Sequence, residues 1–143
     1  MTGPALRKVD SHSSIHDAAL GEAAQLTELL RRCLEAGEHD KAFEAACITL
    51  EHWETRTLAH ADAEEEGLYK EIVEQDPALN VIIASLIRDH DLMRRMADDI
   101  RGILATEEVN QAVLNRFETM ILIDEVHNHD EESLLASLGI DHE

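Results

Sequence analysis

Histidine and glutamate recur in this sequence at spacings that suit metal binding. The chain of 143 residues contains nine histidines, more than a domain of this size needs for packing. Two segments, His60–Glu64 and His127–Glu131, share the pattern of a histidine, three residues and a glutamate. Residues four apart on an α-helix lie on one face about one turn apart, so each pair can bind the same ion. Imidazole and carboxylate together suit iron or manganese, and zinc is also possible.

The same segments belong to a weak internal repeat. Each half of the chain contains one histidine beside an aspartate, then a long gap, and then the histidine–glutamate pattern followed by a second glutamate. The two halves together supply four imidazoles and two carboxylates, which is more than one tetrahedral zinc ion takes. The pattern therefore predicts two metal ions bridged by carboxylates, with open positions for other ligands. The predicted ligands are His16, His60, Glu64, His90, His127 and Glu131.

Apolar residues that recur at alternating steps of three and four predict the elements that position these ligands. On the second helix this stripe begins at Phe43 and passes through Trp53 to Glu64. The fold class is therefore all-α, an up-down-up-down antiparallel four-helix bundle over residues 13–143, preceded by a tail of residues 1–12. The predicted helices run from Ser13 or Ser14 to about Ala36, from Asp40 to about Val73, from Ala78 to Leu104, and from a cap at Thr106 to Leu138.

The four inward histidines are predicted to lie at one level of this bundle. In an antiparallel helical hairpin, residues at the same height are placed symmetrically about the turn. The sequence midpoints between successive inward histidines fall beside Gly37, beside Asp76-Pro77, and between Thr106 and Asn110. Glycine, proline and a helix cap place these turns without reference to the histidines. The coincidence therefore favours a shared site over four separately packed core histidines.

Composition excludes several classes of partner. The chain has 12 Lys and Arg residues against 31 Asp and Glu residues, a formal net charge of −19. Without a basic surface we expect no nucleic-acid partner and no binding to anionic membranes. The sequence contains no apolar run long enough to span a bilayer and no secretory signal pattern, so we expect a cytoplasmic protein. Cys33 and Cys47 form no metal-binding pair and are expected to be small buried residues.

The order of these motifs, from about Ser13 to Leu138, resembles the hemerythrin-like, or HHE cation-binding, domain family. The resemblance implies two non-haem iron ions with an oxo or hydroxo bridge. It implies that the four histidines are terminal ligands and that Glu64 and Glu131 bridge the two ions. The implied function is to bind or react with a small ligand in the bundle core, namely oxygen, nitric oxide or peroxide.

The sequence departs from oxygen-carrying hemerythrins at two positions. Arg94 stands where they have a second histidine on the third helix, and Glu131 belongs to an HxxxE motif where they have HxxxxD. The chain is thus more similar to bacterial members of the family that do not carry oxygen. We expect Arg94 to extend to the surface or to pair with Glu65, Glu132 or Asp124. Residues that could complete the ligand set are Glu65, Glu132, His129, His12 and His39.

Other interpretations stay open at this point. The protein could store, donate or sense iron without turnover, or it could be a structural bundle that binds zinc or manganese. Asp124, one turn before His127, could accept the N–H of that imidazole or could lie at the edge of the bundle. Tyr69 is expected to pack at one end of the bundle, and the alternative is a position near the metal.

Overall fold

A computed structural model describes the backbone of residues 9–139 and the side chains of residues 16–139. Within this range the regular structure is helical throughout, and no strand occurs. The elements in chain order are α1 (Val9–Glu35), α2 (His39–His52), a π-helix (Trp53–Leu58), α3 (Ala59–Glu66), α4 (Leu68–Gln75), a 3-10 turn (Pro77–Leu79), α5 (Asn80–Thr106) and α6 (Gln111–Ser137). Helix α1 packs against α2 and α6, and α5 packs against α6 and against α2 with its π-helix. The predicted all-α four-helix bundle is confirmed.

The second helix of the bundle consists of α2, the π-helix, α3 and α4, and is less regular than the single helix predicted for residues 40–73. The π-helix ends just before α3, the helix that carries His60 and Glu64. Such π turns are rare, and they occur frequently at functional sites. Gly67, with φ −111° and ψ −85°, separates α3 from α4. The inward stripe continues across this interruption, since Glu64, Leu68 and Ile72 are buried at steps of four.

The two ends of α1 differ in how well the sequence predicted them. Gly37 has a φ of +70°, a left-handed conformation that glycine adopts without steric cost, and it follows the last turn of the helix as predicted. At the other end α1 is already helical at Val9, the first residue the structure describes, within the segment predicted as a tail. The cap predicted at Ser13 or Ser14 is therefore wrong. Residues 9–15 contain neither glycine nor proline, so nothing in that segment ends the helix.

The cap predicted at Thr106 is also wrong. Thr106 is the last residue of α5, and its hydroxyl donates to the Gly102 carbonyl oxygen at 2.9 Å. Asn110 caps α6 instead, and its Oδ1 accepts a hydrogen bond from the backbone N–H of Val113 at 3.3 Å. A threonine hydroxyl can bond backwards to the carbonyl four residues earlier, which lets it sit inside a helix end as well as before a helix start.

Buried apolar side chains form two clusters, and a layer of polar side chains is buried between them. Trp53 and Phe117 are fully buried in the larger cluster, in the half of the bundle that contains the α1–α2 and α5–α6 turns. Leu68, Ile72 and Leu86 belong to the smaller cluster in the other half. Burying ionisable groups between two apolar clusters is costly unless they are paired or bind a cation. The polar layer is therefore the part of the fold that packing alone does not explain.

Two residues that were predicted to be buried are exposed. Phe43 is 44% exposed, whereas Ala42 beside it is fully buried, so the inward stripe of α2 runs through small residues. Alanine at the inward positions lets neighbouring helices approach closely and leaves the larger phenylalanine outside. Cys33 is buried as expected, but Cys47 is exposed. Across residues 9–139, no helix is both long and apolar enough to cross a membrane.

Candidate metal centre

The structure brings the six predicted ligand residues together in the polar layer. Each of the four bundle helices presents one imidazole there, because its inward stripe passes through this level. The rings pair in two ways: those of His16 and His60 have centroids 4.8 Å apart, and those of His90 and His127 have centroids 4.5 Å apart. The two carboxylates in the layer are Glu64 from α3 and Glu131 from α6.

Glu64 lies between the two histidine pairs. Its Oε2 is 3.6 Å from His16 Nε2 and 4.0 Å from His60 Nε2, and its Oε1 is 3.5 Å from His90 Nε2. Two groups of converging ligand atoms result, one from His16, His60 and Glu64 and one from Glu64, His90 and His127. In each group the candidate ligand atoms all lie within 4.8 Å of one another. One carboxylate is thus shared by two possible metal positions.

Glu131 also lies between the two pairs, and Tyr69 holds it there. Its Oε1 is 3.7 Å from His16 Nδ1 and its Oε2 is 3.7 Å from His127 Nε2. The Tyr69 hydroxyl donates to Glu131 Oε2, and the tyrosine ring stacks on His90 at an interplanar angle of 9°. Burial, followed by the charges of Glu131 and Glu64, raises the pKa of Tyr69, so the hydroxyl keeps its proton and acts as a donor.

Of the two positions predicted for Tyr69, it has the one near the site, where its hydroxyl contacts Glu131. Tyr69 comes five residues after Glu64, which on a regular helix places it roughly 140° away around the axis. Leu68, four residues after Glu64, continues the buried stripe, and Tyr69 is buried beside it. Helical periodicity alone could not show that Tyr69 contacts a residue of α6.

Two further carboxylates fix the orientation of the buried imidazoles. His90 Nδ1 lies 2.7 Å from Glu65 Oε2, and His127 Nδ1 lies 3.0 Å from Asp89 Oδ2. Asp124 is buried in the core, not at the bundle edge, and Asp89 has the position beside His127 that the sequence suggested for Asp124. Asp89 directly precedes His90 in the chain, but its contact is with His127 of the neighbouring helix.

The Nε2 atoms of His90 and His127, which do not contact Glu65 or Asp89, provide a test of whether these residues fit a cation. Burial, and next the neighbouring His127, lowers the pKa of His90 to about 2, so this imidazole is neutral at pH 7. A neutral imidazole that donates from Nδ1 to a carboxylate has only a lone pair on Nε2. The Nε2 atoms of His90 and His127 lie 3.1 Å apart, so one cation could lie close to both.

Glu64 gives a second indication of a fit. Its Oε2 is buried and accepts no hydrogen bond from any residue the structure describes. Burial raises the pKa of Glu64 well above 4.5, and the adjacent Glu131 carboxylate raises it further. A metal ion would supply the positive charge that these carboxylates lack. Nitrogen and carboxylate donors in this ratio fit iron, manganese or zinc.

Arg94 lies beside the site, on α5 one turn after His90. Its Nη2 donates to Glu65 Oε2 at 2.9 Å and to Asp62 Oδ1 at 2.7 Å, and its Nη1 donates to Asp91 Oδ1 at 2.8 Å. Of the partners predicted for Arg94, Glu65 is confirmed. Glu65 contacts His90 and Arg94, so it orients a candidate ligand residue. It lies in neither group of converging ligand atoms.

The other residues considered as additional ligands do not join the converging groups. His39 begins α2 and lines a cavity with Glu107, in the half of the bundle that contains the turns. His129 is exposed on α6, and Glu132 is half-buried there. The side chain of His12 lies outside the residues whose side chains are described.

The fold and this layer together define a helical-bundle protein with a histidine–carboxylate site suited to metal ions. Comparison with protein-family models matches residues 7–138 to the hemerythrin HHE cation-binding domain. The match spans most of the chain, and the chain therefore belongs to this family. Comparisons with curated proteins and with solved structures give no match.

Proposed function

We propose that this protein holds two iron ions in the polar layer and binds or reacts there with oxygen, nitric oxide or peroxide. The observation that carries the proposal is the position of Glu64. Its Oε1 faces His90 and its Oε2 faces His16, which belong to different histidine pairs. A carboxylate that offers one oxygen to each pair is placed to bridge two ions.

The remaining residues complete two equivalent ligand sets. One ion would take His16 and His60, the other would take His90 and His127, and each would share Glu64 and Glu131. Four protein ligands per ion leave open positions for a small molecule, which mixed imidazole–carboxylate iron sites use for their chemistry. When bound, iron would supply Lewis acidity and one-electron redox chemistry.

The chain itself controls which molecules reach this centre. His90, His127 and Glu64 are at most 2% exposed, whereas the His60 side chain is 15% exposed. The edge of the site at His60 is therefore its more accessible side. Two site carboxylates and a net charge of −19 disfavour anionic ligands and favour small uncharged ones. The Tyr69 hydroxyl retains its proton and can donate a hydrogen bond within the layer.

Arg94 supports reactivity over reversible oxygen carriage. A guanidinium cannot coordinate a metal ion, and this one is bound to three carboxylates. The centre therefore lacks the additional imidazole of the oxygen carriers and keeps a more open position. We expect the ferrous protein to oxidise rapidly in air. Stable, reversible oxygen binding would contradict this part of the proposal.

The experiment is to load metal-free protein anaerobically with ferrous iron and to record optical spectra after adding nitric oxide, oxygen or hydrogen peroxide. The wild-type protein should bind iron and change its spectrum with at least one ligand. His60→Ala should lose most of its iron, whereas the matched control His129→Ala, which changes an exposed histidine, should behave like wild type. Iron uptake without any response to ligands would favour storage or sensing. Protein isolated with zinc or manganese alone would favour a structural metal.

A further inference from the structure

We infer that Arg94 is a positioning residue of the metal centre, which holds Glu65 on the imidazole of His90 and keeps this carboxylate out of the metal's ligand set. The inference rests on the proposed function, because it concerns how a bound metal is tuned. It adds to that function a residue that acts on the ligand His90 through Glu65.

The geometry shows a chain of contacts from the surface to the site. A single oxygen, Glu65 Oε2, lies 2.7 Å from His90 Nδ1 and 2.9 Å from Arg94 Nη2. Asp62 and Asp91 also accept hydrogen bonds from the guanidinium at 2.7 and 2.8 Å. The planar fork of arginine suits several carboxylates at fixed angles, so these contacts fix where Arg94 can hold Glu65.

Glu65 needs such a restraint because of where it lies. It directly follows Glu64, it is only partly buried, with a side chain 23% exposed, and a cation nearby would attract its carboxylate. Arginine remains charged at every pH at which the protein folds, so Arg94 does not lose its positive charge as the pH changes. The ion pair thus commits Glu65 to His90 Nδ1. It also leaves His90 Nε2 as the atom that faces the metal position.

The same ion pair also affects how strongly His90 donates electrons. A carboxylate bonded to the Nδ1 proton makes an imidazole a stronger donor to its metal. Arg94 holds Glu65 in place for this bond. Asp89, which has the same role for His127, forms no ion pair with arginine among the described residues. Loss of Arg94 should therefore weaken donation from His90 and favour ferrous over ferric iron.

The first test is a double-mutant cycle on the reduction potential of the iron-loaded protein. Arg94→Gln should shift the ferric-to-ferrous ratio by about tenfold toward ferrous iron, which for one electron is about 59 mV. In a Glu65→Gln background the same substitution should shift the reduction potential no more than Arg95→Gln does. Arg95→Gln removes an exposed charge at the next position. If Arg94→Gln has the same effect in both backgrounds, Arg94 acts only through its field and the inference is wrong.

The second test needs no metal. In metal-free protein, nitrogen-15 NMR should show His90 with its proton on Nδ1 and protected from exchange with water. Arg94→Gln should increase the exchange rate of this proton about tenfold, and Arg94→Lys should increase it less because a charge remains near Glu65. Equal exchange rates in wild type and Arg94→Gln would overturn the inference. Failure to bind iron would instead refute the proposed function and would leave this measurement interpretable.

Discussion

Replacing Glu64 by glutamine should have opposite effects on the metal-free and the metal-loaded protein. Without metal, burial and the nearby Glu131 carboxylate raise the pKa of Glu64 above its ordinary 4.5. A raised pKa means that this group stabilises the fold at low pH, and that the contribution is lost as the pH rises above 4.5. Glutamine has no charge to bury, and its amide can donate to Glu131 and to the imidazole lone pairs. Glu64→Gln should therefore stabilise the metal-free protein at neutral pH.

The size of this gain has an upper bound. Burying the Glu64 side chain at pH 7 costs no more free energy than protonating its carboxyl group first. That protonation costs about 1.4 kcal/mol for each pH unit above 4.5. The substitution should thus raise the free energy of unfolding of metal-free protein by up to about 3 kcal/mol at pH 7 and by less than about 1 kcal/mol at pH 5. With metal the sign reverses, because glutamine bridges two cations poorly and the stabilisation by bound metal is lost.

Urea denaturation of wild type and Glu64→Gln, with and without saturating metal, measures both effects. Glu66→Gln is the matched control, since Glu66 is an exposed glutamate in the same helix, and it should change neither value by more than about 0.5 kcal/mol. If Glu64→Gln destabilises the metal-free protein, Glu64 makes favourable contacts of its own in the core. The polar layer would then not need a cation to be stable.

Three further predictions concern the same layer. Tyr69→Phe should lower the free energy of unfolding of metal-free protein by about 1–3 kcal/mol, because Glu131 loses a buried donor; an unchanged urea midpoint would contradict the contact. Burial raises the pKa of Asp124 from 3.8 to about 7, so its favourable contribution is lost as pH rises through that range. Asp124→Asn should stabilise metal-free protein at pH 8 by roughly 4 kcal/mol and much less at pH 4, and parallel pH profiles for the two proteins would refute this. Removing metal from wild type should lower the free energy of unfolding by about 3–4 kcal/mol relative to protein with free metal at 100–1,000 times its Kd, and an unchanged melting temperature would show that no metal binds the folded state.

The bundle was predictable because periodicity and turn residues agree. Gly37 and Pro77 place two of the turns, and the inward stripes carry Trp53 and Phe117 into the core, where both are fully buried. The convergence of four histidines followed from the same symmetry. Helix ends were less predictable, since a threonine such as Thr106 serves equally well inside the last turn of a helix.

The supporting residues of the site were less predictable because they depend on contacts between helices. Tyr69 lies beside the stripe that Glu64 and Leu68 share, and its contact with Glu131 of α6 depends on how the helices pack. Asp89 and Glu65 lie beside inward residues in sequence, so a helical pattern assigns them to the flanks. Their contacts with His127 and His90 become visible only when the helices are packed together.

The number of metal ions per chain tests the central claim most directly. Metal-free protein would be saturated with ferrous iron under anaerobic conditions, freed of excess metal, and analysed for iron and protein together. We expect two ions per chain, one at each of the two groups of ligand residues that share Glu64. A value of one ion per chain at saturation would contradict the shared-carboxylate centre, and no bound iron would contradict the proposed function.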